Sequence, residues 1–195
     1  MLPSTVDSAS GQQIQMKPVR FAILGTAKIA RVVGPRIQAA AGAVLSGVAS
    51  RSRAAAAGFA EELQIPGSYG SYAAALEDPD IDAVYIPLPP SMHLEWATKA
   101  AEAGKHVLCE KPLAMTAGEA DRMISVCRQH NVVLLDGVMW YHTPRAAAIK
   151  RTVESGQLGD LKQLTSVFTF RWDEFPLDNV RMQRELGGGS LLDLG

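Results

Sequence analysis

Apolar runs that end at a turn and are each followed by a helical segment, repeated from Val19 to Leu135, leave few folds open to this chain. Val19 to Leu24 is apolar and stops at Gly25, which reads as a buried strand entering a turn. A helix is expected over Lys28 to Ala41, with Pro35 inside it as a candidate kink. Val44 to Ala49 is the next strand, and Ser52 to Leu63 and Ser71 to Leu76 are helical. Asp82 to Ile86 is a third strand, stopped by Pro87, Pro89 and Pro90. A helix from Ser91 to Ala103 has a serine to cap its start and Gly104 behind it. Val107 to Cys109 is a strand, Thr116 and Glu119 form a capping-box pair, and Ala120, Met123, Ile124 and Cys127 keep helical spacing. Val132 to Leu135 closes the series. Such alternation specifies an α/β fold, a parallel doubly wound sheet covered by helices.

After Asp136 the pattern changes. Pro144 to Ser155 reads as a helix with Gly156 behind it, and Leu164 to Phe170 alternates well enough for a long antiparallel strand. These residues read as the start of an α+β domain. At roughly 150 residues per domain, a chain of this length holds one full core and part of another. The expected organisation is an extension over residues 1–15, a doubly wound α/β domain over 16–136, and an incomplete second domain over 137–195. The polar stretch Met1 to Gln15 has neither the basic start nor the apolar core of a secretory signal and is expected to be disordered.

Nineteen basic against 20 acidic side chains give a net charge of −1, so nothing favours nucleic acid or an anionic membrane as partner. No apolar run reaches the roughly 18 residues of a membrane span. Two cysteines, Cys109 and Cys127, are too few for a disulfide scaffold and fit a reducing, cytoplasmic setting.

Gly25-Thr26-Ala27-Lys28-Ile29-Ala30 follows the first strand and opens a helix. The dinucleotide fingerprint wants Gly-x-Gly-x-x-Gly or Ala at that point. Gly25 allows the tight turn and Ala30 the close helix packing, while Ala27 narrows the approach where a second glycine is usual. Backbone N–H groups at the helix start still suit an anion. The bland alternative is an ordinary turn. The second strand ends in Ala49-Ser50-Arg51-Ser52-Arg53, with no acid to take the 2′-hydroxyl of NAD. Serine and arginine there suit the 2′-phosphate of NADP, with NAD possible; the alternative is a solvated basic helix start.

Glu110-Lys111-Pro112 follows a buried strand, at the edge where open α/β sheets bind ligands. A charged pair there either serves a ligand or is an ion pair that ends the strand, and Pro112 permits a cis bond. Trp140 and Tyr141 stand either beside a bound ring or in the core. His93, His106, His130 and His142 have no metal-ligand spacing, and no metal site is expected. Cys109 reads as a buried apolar side chain rather than a nucleophile.

These pieces together resemble the glucose-fructose oxidoreductase and inositol dehydrogenase family, called Gfo/Idh/MocA. The likeness rests on Ile23 to Ala30, Val48 to Ser52, Tyr85 to His93, Gly104 to Leu113, Asp136 to Trp140 and the run Gly187-Gly188-Gly189-Ser190-Leu191-Leu192-Asp193. It extends from about Val19 to Gly195. Within that family the chain is similar to a branch with Met139-Trp140 before His142-Thr143-Pro144-Arg145, and more distantly to dimeric dihydrodiol dehydrogenases and NADP-dependent xylose dehydrogenases. The resemblance implies a Rossmann-type fold and a dehydrogenase that moves a hydride between a nicotinamide and a CH–OH group of a sugar, polyol or similar small molecule. It implies that Lys111 is the catalytic lysine at the reacting oxygen, that Glu110 lies beside the nicotinamide ribose, and that Leu88, Pro89 and His93 belong to the loop over the cofactor. Asp193 matches the acid of an Asp-x-x-x-His or Asp-x-x-x-Tyr set whose last member would fall at position 197. The expectation is therefore a truncated chain that binds NADP without turning it over, from a full-length homo-oligomer joined through its C-terminal sheet. The rival reading is a dinucleotide-binding sensor on the same scaffold.

Overall fold

The computed structural model describes residues 17–169, 171 and 179–194. The expected N-terminal extension and Phe170 lie outside the described residues. Six strands form one parallel sheet: β1 Val19–Leu24, β2 Ala43–Ala49, β3 Gly67–Tyr69, β4 Ala83–Ile86, β5 His106–Cys109 and β6 Leu134–Asp136. Their order is β3-β2-β1-β4-β5-β6, so the chain leaves β1 first toward one edge and then toward the other. The two directions part between β1 and β4, and sheets of this kind bind ligands outside the carboxyl ends of the strands at such a point.

The helices are α1 Ala30–Ala39, α2 Arg53–Leu63, α3 Tyr72–Glu77, α4 His93–Glu102, α5 Ala117–Gln129, α6 Pro144–Glu154 and α7 Ser190–Leu194. Strands β1 and β4 are covered on both faces. Ala22, Leu24, Val84 and Ile86 pack with Leu76, Ala97, Ala100 and Met123 on one side. Ile23 and Tyr85 pack with Ile37, Leu45, Val48 and Phe59 on the other. Burial on both faces explains why these strands read as continuous apolar runs.

Several expected boundaries shift. Helix α1 begins at Ala30 rather than Lys28 and continues through Pro35. The segment Pro90–Met92 is a 3-10 turn leading into α4, so Ser91 does not cap that helix; Met92 stands at the cap without a side-chain bond. Strand β6 forms two residues later than expected; before it, the Val133 N–H donates to Nδ1 of His106 at 3.0 Å while its carbonyl accepts from the Val107 N–H at 2.8 Å. Strand β3 was not expected at all. It has three residues, too few to show a period, and it exists through pairing with Gly47, Val48 and Ala49.

Over its described residues, 164–169, the expected strand from Leu164 to Phe170 is not formed. Residues 161–169 have no regular structure, and Leu164, Val167 and Phe168 are exposed. Alternation proposes a strand, but a strand needs another to pair with, and no described strand of the sheet pairs with these residues. No described helix is long and apolar enough to cross a membrane.

The amino ends of β1 and β4 are clipped by charge. Asp82 Oδ2 accepts from the Arg20 backbone N–H and from Nε, both at 2.9 Å, and Oδ1 accepts from Nη2 at 2.9 Å. These bonds hold the Asp82 carboxyl down at about 2. A folded value below the unfolded one, near 4, means that the stabilisation is complete above about pH 4 and is lost as pH falls through about 2. Asp82→Asn is expected to lower the thermal midpoint by a few degrees near neutral pH. The gap between variant and parent should close between about pH 4 and pH 2, which thermal melts across that range would check.

Candidate active site at the carboxyl edge of the sheet

The ladder bonds run past the strand ends and carry the site loops with them. Gly25 N–H donates to Ala49 O at 2.8 Å, Ser50 N–H to Tyr69 O at 3.1 Å, Glu110 N–H to Ile86 O at 3.1 Å, and Gly137 N–H to Cys109 O at 2.6 Å. Each loop therefore starts from a fixed backbone position on a neighbouring strand.

Gly25 has φ +115°, and a Cβ there would stand 2.9 Å from Leu88 Cδ2. Both the conformation and the close approach require glycine. The turn Thr26 to Ile29 then leads into α1, whose cap residue Ile29 makes no side-chain bond. Among the described residues nothing accepts a hydrogen bond from the N–H groups of Thr26, Ala27, Lys28 or Ile29. Unmet donors at the start of a ten-residue helix make a site for an anion.

Beside it, at the end of β2, the Ser50 hydroxyl accepts from Ser52 N–H at 3.3 Å, which leaves its own O–H free to donate. Ser52 caps α2 by accepting from Ala55 N–H at 3.3 Å. Arg51 is exposed, and no described residue accepts from its guanidinium. The expected serine and arginine thus stand at a second helix start with donors to spare.

Leu88 lies over Gly25, and Pro89 follows it on the loop after β4. His93 lies deeper than the resemblance implies. It is fully buried, with Nε2 2.7 Å from Leu88 O and Nδ1 3.0 Å from Pro112 O and 3.2 Å from Leu113 O. Its ring ties the loop after β4 to the loop after β5 from beneath.

That second loop holds Glu110 and Lys111, followed by a cis bond to Pro112. Glu110 Oε1 accepts from the Tyr85 hydroxyl at 2.7 Å, and Oε2 from Lys111 N–H at 3.2 Å. Burial first, and the neighbouring Glu110 charge second, push the Tyr85 phenol far above its ordinary value, so it remains a donor. Burial raises the Cys109 thiol likewise and keeps it protonated, in keeping with a packing role.

Lys111 reaches away from Glu110. Its Nζ donates to Asp193 Oδ1 at 2.7 Å and to Asp193 O at 2.8 Å, across 82 positions of sequence. Arg181 Nε donates to the other oxygen, Oδ2, at 3.0 Å. Burial works against the charge on Asp193, but the hydrogen bonds from Lys111 and Arg181 outweigh it and hold the carboxyl below its usual range. The segment that carries Asp193 seats at Gly187, where φ is +87° and a Cβ would stand 2.6 Å from Pro90 Cβ. The Gly187 backbone thus lies against the Pro90 ring, on the same segment that brings Asp193 to Lys111.

The structure thus joins Lys111 to Asp193, and Glu110 to Tyr85. Trp140 lies on the turn after β6, two-fifths exposed and edge-on to Tyr141 at 5.7 Å. Tyr85 and Arg181 were missed. Tyr85 reads as one more apolar strand residue, and Arg181 lies where no periodic pattern marks it.

Comparison with known proteins agrees with this architecture. The family model described as "Oxidoreductase family, NAD-binding Rossmann fold" matches residues 19–138. The chain is 42% identical over 180 residues to a dTDP-3,4-didehydro-2,6-dideoxy-alpha-D-glucose 3-reductase of Saccharopolyspora spinosa, covering 92% of this chain and 53% of that protein. It is 42% identical over 176 residues to D-xylose 1-dehydrogenase (NADP(+)) 2 of Haloferax volcanii, covering 90% and 53%. The chain thus spans about half the length of these relatives. Among solved structures it resembles KijD10, a 3-ketoreductase of Actinomadura kijaniata in complex with NADP and TDP-benzene. The TM-score is 0.81 at 34% identity, over 91% of this chain and 54% of that one. On the family match across the whole sheet, the chain belongs to the Gfo/Idh/MocA oxidoreductases with their NAD-binding Rossmann fold.

Proposed function

We propose that this chain carries the cofactor-binding half of an NADP-dependent oxidoreductase that acts on a CH–OH or keto group of a sugar, polyol or similar small molecule. The observation that carries the reading is the Lys111 ammonium, set at the ligand edge of the sheet and aimed by Asp193. The relatives named above support it, being a sugar-nucleotide ketoreductase and an NADP(+) xylose dehydrogenase.

The residues present fit a dinucleotide. The unmet N–H groups from Thr26 to Ile29 above Gly25 suit its diphosphate. Ser50, Arg51 and Ser52 at the start of α2 suit a 2′-phosphate, which an arginine binds through paired N–H groups. Leu88, over Gly25, and Pro89 beside it would lie along the dinucleotide, and Glu110 and Trp140, on the loops after β5 and β6, would complete its surroundings. The nicotinamide, when bound, supplies or accepts the hydride.

The protein's own part falls to Lys111. An ammonium has three donors, and two of them are engaged by Asp193. The third is available to a substrate oxygen, whose negative charge it stabilises as the C–H bond to that carbon breaks or forms. Asp193 stays ionised between two cations and so fixes the direction of Lys111 rather than taking up a proton itself.

Titration by fluorescence tests the cofactor reading. The chain is expected to bind NADP more tightly than NAD, and Arg51→Asp should weaken NADP by about tenfold or more while sparing NAD. Equal affinities in the parent chain would refute NADP preference. In any protein that contains this sequence and turns over, Lys111→Ala is expected to fold, keep NADP affinity and lose about 10²–10⁴ in kcat. Retained kcat would remove Lys111 from the chemistry.

A further inference from the structure

Tyr72 opens α3, directly after Ser71 caps that helix by accepting from Ala74 N–H at 3.1 Å. Only 6% of it is exposed. Its ring meets Trp96 edge-on, with centroids 4.9 Å apart and planes at 84°, inside the cluster that includes Leu24 and Leu88. Packing of this kind leaves the ring one orientation. The hydroxyl at its end points to the glycine turn, 3.9 Å from where a Cβ on Gly25 would stand.

No described residue exchanges a hydrogen bond with that hydroxyl. Trp96 Nε1 is the one partnerless polar side-chain atom fully sealed from solvent among the described residues, so the Tyr72 oxygen keeps an opening. Phenylalanine would fill the same apolar space without a polar atom to satisfy. A phenol fixed nine-tenths inside the core, aimed at a turn whose N–H groups also lack acceptors, has the features of half a binding site.

We infer that Tyr72 is a dinucleotide-binding residue whose O–H donates to a diphosphate oxygen held over the Gly25 turn. The inference rests on the reading that this turn binds a dinucleotide. The N–H groups of Thr26 to Ile29 approach the diphosphate from the helix side, and Tyr72 supplies a donor from under the turn. The hydroxyl is then satisfied only in the bound state, so it favours the complex over the free protein.

Tyr72→Phe removes one oxygen and keeps the ring. Calorimetric titration of the 195-residue chain and this variant with NADP, 2′,5′-ADP and adenosine 2′-monophosphate separates the possibilities. Affinity for NADP and 2′,5′-ADP, which carry a 5′-phosphate, should fall by about tenfold or more. Affinity for adenosine 2′-monophosphate, which lacks one, should stay within about twofold, and the thermal midpoint of the free protein should not fall. NADP affinity within about twofold of the parent would overturn the inference, as would equal weakening of all three ligands. Failure of the parent chain to bind NADP would refute the dinucleotide reading itself, and the role of Tyr72 with it.

Discussion

Burial of β1 and β4 on both faces is the constraint from which the rest of the structure follows. Ala22, Ile23, Leu24, Val84, Tyr85 and Ile86 are all at most 1% exposed. Each large apolar side chain so placed contributes about 1.5–3 kcal/mol. No charged side chain can interrupt such strands without a heavy desolvation cost. Polar chemistry is therefore confined to the strand ends. The amino ends receive the Arg20–Asp82 clip, and the carboxyl ends receive Gly25, Ser50, Glu110 and Lys111.

The electrostatics of the carboxyl edge look different in that light. Lys111 and Asp193 form a partly exposed pair, with 37% and 15% of their side chains accessible. Such a pair contributes at most about 1 kcal/mol, far less than the apolar sheet beneath it. It does not hold the fold together. The fold, through the seating of Gly187 on Pro90, holds the pair together. Glu110 is occupied by the Tyr85 hydroxyl and by the Lys111 backbone, and Lys111 turns to Asp193 instead. Lys111, at the carboxyl edge, is thus oriented by a group 82 positions away in the sequence.

Much of this was legible beforehand where a local rule applied. The apolar run to Leu24, the glycine after it and the threonine cap of α5 at Thr116 each state a backbone preference within a few residues. Strand β3 was not legible, because three residues take their conformation from β2. The alternation at Leu164 misled, because it reports side-chain polarity and not the presence of a partner strand. His93 falls in the expected helix, but its burial and the approach of its ring nitrogens to carbonyls from two loops follow from tertiary packing.

The sequence by itself determined the α/β class, the sites of the turns and the residue types available at the carboxyl edge. Those follow from the period of apolar residues, the φ freedom of glycine and the capping chemistry of serine and threonine, all local properties. The tertiary structure alone decided which groups meet. Lys111 with Asp193, Arg181 with Asp193, Tyr85 with Glu110 and Tyr72 with Gly25 are separated by between 12 and 82 positions or set by strand order. A contact of a few ångströms between distant residues depends on how helices and strands pack, and no local preference encodes that distance.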